Sequence, residues 1–593
     1  MENSEKLVIA FIILLAISIS AYPITQKHLL NIDSYSELLL ARNAVEGKLS
    51  STRPLFYQLT AFLYRIFSPA DGKFDEALLI NIAKVLPVIF AVVCALSFYL
   101  ILRCMLPQTA AMGGAALLVS SQAFLLKMGS GIYSRDSLGM CAFVLACSCF
   151  FLFYRKKNYL LLLASVLLFG ISAFSWNAGW VMGGAILLSL IAQLACEWRG
   201  KQDVMLAHGV IALLITFVLL YFLTPQENIF NDMKTANLQI HLISLPLIAA
   251  GVVAFAAHLA GKHKCKVKFE VFIVSMLVIS VIISLFDLFP SSFGVALFSA
   301  FALNELLGVR DEKLALILLA GTLLFVSFEF SQNFLELNQA VVVSFLIAAT
   351  SVFIASMYRE RRISTYIAFS VAALLLFSSI STAALTVSQR IDRTGAGFDE
   401  MAVWVGENLP ENATIWSFRI SPVIEFTTGR GAYVNDTEFA RFMLSNQSAT
   451  SLGGKGITHI LVDASLFDSI EVLKTFANNS KVRIDSFRLA GYRVDAENNV
   501  YAAFISGDGR TWAFAPVDPM SGSLLDGNVI ISTIEGSRAV PFKKFLRLGE
   551  YRLVYPQDNY RVNLFTMFFE EVSGLKPVYI SENGEIKIYE VAG

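Results

Sequence analysis

Two carboxylates are the side chains in this sequence best placed to do chemistry. Asp33 follows the first apolar run and heads the segment NIDSYSELLLARNAVEG; Asp136 closes the short polar stretch KMGSGIYSRD, Lys127 to Asp136. Two acids converging at a membrane surface can hold Mg²⁺ or Mn²⁺ through oxygen ligands. Such a cation neutralises a pyrophosphate leaving group and orients a polar acceptor. The competing reading is structural. Ser34-x-x-Glu37 has the capping-box pattern, with Asp33 beside it favouring a helix start. Asp136 could likewise cap a helix that begins at Ser137. The sequence alone leaves both readings open.

What must position these acids is a membrane domain. Of 593 residues, 56% are hydrophobic and only 16% charged, and the mean hydropathy is +0.63. A water-soluble chain cannot hide so much apolar surface, so a polytopic membrane protein is expected. The net charge of +0 gives no sign of a nucleic-acid partner. The seven cysteines all precede residue 266 and form no CxxC pair or Cys/His cluster, so zinc is not indicated. Leu7 to Tyr22 lacks a clear cleavage site and reads as a retained first span.

Apolar runs of roughly 17–22 residues recur, and about thirteen fit the thickness of a bilayer core. Their centres fall near residues 14, 94, 117, 145, 166, 187, 214, 249, 278, 298, 321, 347 and 374. Basic clusters at Arg155-Lys156-Lys157, at Lys262 to Lys268 and at Arg359 to Arg362 then fall on the N-terminal, cytoplasmic side. The odd count sends the C-terminus outside. Residues 1–388 are therefore expected to be the multi-span domain, with a structured external loop over residues 23–83 in which Tyr35, Leu38, Leu39 and Val45 have helical spacing and Gly47 is the stop. Residues 389–593 are expected to be an extracytoplasmic mixed α/β domain. A helix over Phe398–Asn408 should end before Pro410. Strands are expected at Thr414–Phe418, Ile457–Val462, Val500–Ile505, Asn528–Thr533, Tyr551–Tyr555 and Glu585–Glu590, with a hairpin turn at Gly507-Asp-Gly509. Gly453-Gly-Lys-Gly456 lacks the spacing of a phosphate loop. Asn412, Asn435, Asn446 and Asn478 each head an N-x-S/T triplet, in keeping with an outward tail.

The two acidic segments also carry a resemblance. NIDSYSELLLARNAVEG with RPLFYQLTAFLYRIF is similar to the first external loop of the oligosaccharyltransferase catalytic subunits, archaeal form above all. KMGSGIYSRDSLGM resembles that family's second acidic motif, and SWNAGW (Ser175 to Trp180) its Trp/Gly-rich span. VWVGENLPENATIWSFRISPVIEFTTGRGAYVND, followed by ARFMLSN and ITHILVD, resembles the start of its external domain. The resemblance implies a glycosyltransferase C-class fold of thirteen spans with an outward α/β domain. It implies glycan transfer from a dolichyl or other polyprenyl (pyro)phosphate donor to a protein asparagine. Asp33 and Asp136 would then be catalytic acids and ligands of Mn²⁺ or Mg²⁺, and Lys127 would contact the donor phosphate. Ser417, Phe418 and Arg419 fall where the family binds the acceptor.

Departures accompany the resemblance. Ser134-Arg135-Asp136 lacks the first acid of the family's Asp-x-Asp. The Trp-Trp-Asp-Tyr-Gly signature falls on Ser417-Phe-Arg-Ile-Ser421. A loop that should bring a glutamate shrinks to Phe286–Gly294, with Asp287 its one acid, and a basic position falls on Asn333. A site that selects a hydroxyl owes its discrimination to buried polar partners, so these losses weaken acceptor reading most. Three readings follow: a divergent glycosyltransferase whose partners are a lipid-linked donor, an acceptor polypeptide and membrane lipid; a non-catalytic paralogue that binds glycan lipid or acceptor beside a complete enzyme; and a transporter or lipid-handling protein. The last is weakest, because no internal repeat is visible.

Overall fold

The first apolar run is a helix, α1 (Asn3–Ser20). In this computed structural model, which describes residues 3–21, 32–48, 55–68, 74–197, 204–223, 269–283, a few positions between 293 and 304, and most of 396–591, the chain divides into two units, Met1–Ile391 and Asp392–Gly593.

In the first unit the external segment holds α2 (Ile32–Val45) and α3 (Leu55–Phe67). Helix α2 buries Tyr35, Leu38 and Ala41, and ends as its glycine foretells. Gly47 has φ +74°, its N–H reaches the Ala44 carbonyl, and the Lys48 N–H reaches Asn43. This paired closure satisfies two terminal carbonyls with a residue that tolerates the left-handed region. The helices α4 (Glu76–Met105), α5 (Gln108–Val119), α6 (Gln122–Met128), α7 (Arg135–Lys156), α8 (Tyr159–Ser175), α9 (Asn177–Glu197), α10 (Val204–Leu223) and α11 (Glu270–Ile283) follow.

Among the described residues, α4 and α7 are long and apolar enough to cross a membrane, with mean hydropathies of 2.7 and 2.0. The expected spans near 249, 321, 347 and 374, and most of that near 298, lie outside the described residues. Leu160, Leu163 and Leu167 on α8 and Ile211, Leu214, Ile215 and Leu219 on α10 point outward. An exterior of that kind suits hydrocarbon better than water.

The second unit opens with α12 (Ala396–Asn408), stopped before Pro410 as expected. A five-stranded sheet combines β1 (Thr414–Trp416), β2 (Gly431–Tyr433), β3 (His459–Asp463), β11 (Leu575–Ile580) and β12 (Ile586–Val591) in the order β11-β12-β3-β1-β2. β1 runs parallel to both β2 and β3, whereas β12 is antiparallel to β3 and β11. Helices α13 (Ser421–Thr428), α14 (Asp436–Met443), α15 (Ser465–Asp468) and α16 (Ile470–Ala477) connect the strands, and α17 (Asn563–Phe569) precedes β11. A core of Trp416, Phe439, Phe442, Ile460, Phe467 and Leu564 joins the sheet to these helices.

A seven-stranded antiparallel sheet holds β4 (Ile484–Val494), β5 (Val500–Ser506), β6 (Trp512–Pro516), β7 (Asn528–Thr533), β8 (Gly536–Pro541), β9 (Leu546–Leu548) and β10 (Arg552–Pro556), in the order β8-β7-β6-β5-β4-β10-β9. The expected turn at 507–509 lies outside the described residues. The strand that pairs with β5 across it is β6, which was not among the expected strands. Gly453–Lys455 forms a single 3₁₀ turn, in agreement with its reading as a loop.

Candidate active site

The two acidic segments of the first unit meet, and serines rather than acids make the joints. Ser34 on α2 is 1% exposed, and its hydroxyl accepts the Tyr133 N–H at 3.0 Å. The Tyr133 hydroxyl pairs with Thr60 Oγ1 of α3 at 2.7 Å, and its ring lies 4.6 Å from Phe56. The Ser130 N–H donates to the Ser20 carbonyl at the end of α1, at 2.8 Å. The loop before α7 is therefore bonded to α1, α2 and α3 at once.

The helix-start roles also fall elsewhere than the sequence suggests. The cap of α7 is Ser134, whose hydroxyl accepts the Asp136 N–H at 3.2 Å, so the helix begins at Arg135 and the Asp136 carboxylate is not its cap. Ser34 does not box with Glu37; its hydroxyl serves Tyr133 instead. Glu37 turns to the neighbouring helix, where it accepts the Tyr57 hydroxyl at 2.5 Å. It also bonds the Arg135 backbone and faces the Arg135 guanidinium at 4.0 Å. The glutamate of the capping pattern thus faces the start of α7 rather than its own helix.

The charges near these joints are matched. Lys127 Nζ lies 2.7 Å from Asp136 Oδ2, with the two side chains 34% and 25% exposed. Burial pushes the Glu37 carboxyl above its ordinary value; the Tyr57 hydrogen bond and the Arg135 charge oppose that rise, and the Asp136 charge adds to it. Burial likewise pushes the Tyr57 phenol upward, with the Glu37 charge next in weight. Asp33 stands in the first turn of α2, exposed, one residue before the buried Ser34.

The side chains present do not suit a divalent cation. Among the described residues, no three His, Cys, Asp or Glu side chains gather closely enough to hold one. Asp136 already carries the ammonium of Lys127, and the guanidinium of the preceding Arg135 faces Glu37. A dication at Asp136 would have to displace the like-charged ammonium already held there at 2.7 Å. The Mn²⁺ or Mg²⁺ expected on Asp33 and Asp136 is therefore not supported by the donor set.

The helix that carries Asp136 is also held tightly one turn further on. A Cβ on Gly139 would lie 2.3 Å from the Trp176 Cβ and 2.9 Å from its backbone nitrogen. Trp176 is fully buried at the extended break between α8 and α9. Only a glycine lets the two backbones approach so closely.

Of the acceptor residues expected in the second unit, two are internal to it. Ser417 is buried and paired with Ser421 at 2.9 Å, and Phe418 packs against Phe439 and Phe476. Both side chains are thus part of the domain core. Arg419 is exposed at φ +63°, its N–H bonded to Asp436. Asp287 and Asn333 lie outside the described residues.

No family model matches the sequence, and no curated protein matches it either. Solved structures do. The oligosaccharyltransferase of Archaeoglobus fulgidus in its apo form superposes with a TM-score of 0.64 at 11% identity, covering 98% of this chain and 80% of that one. The chain has the fold of the archaeal oligosaccharyltransferases. The same archaeal protein with an inhibitory peptide and a dolichol-phosphate gives a TM-score of 0.61 at 11% identity over the same shares. With a tethered acceptor peptide bearing an NVT sequon it gives 0.60 at 12%. A helical region followed by a sheet-bearing C-terminal region is therefore common ground, as the resemblance in sequence implied.

The sequence reading missed Ser34, Glu37, Tyr57, Tyr133 and Arg135 as parts of this centre. One signal was available. Asp33 and Glu37 are four residues apart, which sets both on one face of α2.

Proposed function

We propose that this chain is a multi-pass membrane glycosyltransferase that moves a glycan from a polyprenyl (dolichyl) phosphate or pyrophosphate donor to a protein asparagine on the outer membrane face. The observation that carries the reading is the bonded junction of α2, α3 and the start of α7, which gathers Lys127, Arg135, Asp136 and Glu37 in a chain with the archaeal oligosaccharyltransferase fold. The oligosaccharyltransferase family is the reading's natural home, with this chain a divergent member.

In this reading the acceptor nitrogen attacks the anomeric carbon of the glycan. The bond from that carbon to the donor oxygen breaks, and the electron pair leaves on phosphate. Lys127, held by Asp136, meets the negative charge that develops there. Asp33, exposed at the start of α2, accepts a hydrogen bond from the acceptor amide, orients it, and takes the proton that the nitrogen loses as the new C–N bond forms, passing it on to water. The N-terminus is cytoplasmic and the second unit extracytoplasmic.

A second reading draws on Ser417 and Phe418. With both buried, the second unit offers Arg419 alone of the three expected acceptor contacts, which favours a non-catalytic paralogue that binds glycan lipid or acceptor. One assay separates the two readings. The purified chain in liposomes, given a polyprenyl-pyrophosphate glycan and an N-x-T peptide, is expected to form glycopeptide. Asp33→Ala and Asp136→Ala should each lower the rate by about a hundredfold. Transfer that survives both substitutions refutes their roles; no transfer from the folded chain with its native donor establishes the paralogue.

A further inference from the structure

Resting on the donor class just proposed, we infer that Arg135 and Lys127 together bind the donor's phosphate and supply the positive charge that a divalent cation would otherwise bring. Three observations converge on this. The two cations sit at one junction: Lys127 reaches Asp136 from α6, and Arg135, beside Asp136 in the first turn of α7, faces Glu37, which feels the charges of both Arg135 and Asp136. Their side chains are 34% and 32% exposed, so an anion can reach both. Each is also oriented from behind by an acid, Lys127 by Asp136 and Arg135 by Glu37.

The grip of Glu37 on Arg135 is the looser one. Its Oε1 lies 4.0 Å from Arg135 Nε, at the outer limit of an ion pair, whereas its Oε2 takes the Tyr57 hydroxyl at 2.5 Å. The guanidinium can therefore swing to an entering phosphate without stripping Glu37 of its stronger partner. Its planar fork matches two phosphate oxygens at once, and the ammonium adds a point charge. The positive end of the 22-residue helix α7 favours the same anion. With Ser134 in place of an acid, and with Asp136 and Glu37 each facing a cation, two side-chain charges stand where a metal's would.

The test is direct binding of radiolabelled geranylgeranyl pyrophosphate to the full chain in detergent. Wild-type protein is expected to bind in EDTA, and millimolar Mn²⁺ should change the affinity by less than about threefold. Arg135→Gln and Lys127→Met should each weaken binding by about tenfold or more, since each removes a charge-assisted hydrogen bond to the anion. Arg135→Lys should recover part of the loss, which a merely structural Arg135 would not predict. Affinity should also fall as salt rises. Inorganic pyrophosphate should compete only weakly, because the lipid adds apolar burial. Binding that disappears in EDTA, or that is unchanged in both Arg135→Gln and Lys127→Met, overturns the inference. Competition by inorganic pyrophosphate at equal affinity overturns the lipid part of it. The two proposals fail separately: metal-free binding without glycan transfer refutes only the transfer, and transfer that requires Mn²⁺ refutes only the metal-free cradle.

Discussion

Replacing Ser34 with alanine tests whether the junction of the two acidic segments is a structural necessity. Its hydroxyl is the acceptor for the Tyr133 N–H at 3.0 Å, and the two residues are 1% and 0% exposed. Removing it strands a buried backbone donor where water cannot replace the lost partner. The cost of such an orphan is about 1–3 kcal/mol, larger than the net worth of the bond itself. That corresponds to roughly a fivefold to hundredfold shift toward the opened state. The chain carries its own reporter, because Cys94, Cys141 and Cys147 are buried free thiols on α4 and α7. A thiol-reactive dye added during a thermal ramp in detergent reads their exposure. Ser34→Ala should lower the midpoint clearly. Ser36→Ala, two residues along and exposed, should stay within about 0.5 kcal/mol of wild type. Equal midpoints for the two variants would refute the reasoning.

Two further outcomes follow from the same region. Gly139→Ala forces the backbones of α7 and the α8–α9 break apart and should destabilise by about 1–3 kcal/mol, read by the same dye; an unchanged midpoint would mean that Trp176 yields easily. Glu37→Gln keeps an acceptor for Tyr57 but removes a carboxyl whose pKa burial raises above its ordinary 4.5. A carboxyl raised on folding contributes stability below its unfolded pKa and loses it as pH climbs through the folded one. Wild type should therefore lose stability relative to Glu37→Gln as pH rises above the ordinary carboxyl value of 4.5, and a pH-independent difference would refute the assignment.

Local pattern carries much of the second unit. Pro410 marks the end of α12, the alternation in Asn528–Thr533 is that of a half-buried strand, and Val500–Ser506 is a short apolar run whose middle three residues are buried. Strand β4 was illegible because a bulge between Leu489 and Gly491 breaks its register and its two-residue period. β8 was illegible because five of its six residues are exposed and carry no alternation. At the site, Asp33 and Asp136 stand out as acids on an apolar chain, but their surroundings depend on contacts across long sequence separations. Ser34 and Tyr133 are 99 residues apart, and Tyr57 and Glu37 are 20 apart. Capping statistics describe a serine's own helix, and here the useful bonds of Ser34 and Glu37 run to a different one.

The order of strands in the five-stranded sheet sets a timetable for synthesis. β12, at residues 586–591, lies between β3 and β11, so β3 has an open edge until residue 591 has been made. β1, β2 and β3 are complete by Asp463 and must wait through more than a hundred further residues with that edge exposed. An unpaired edge invites pairing with other chains. A chain that stops short of residue 586 therefore presents a sticky β3, and loss of β12 should convert an otherwise well-made protein into an aggregating one.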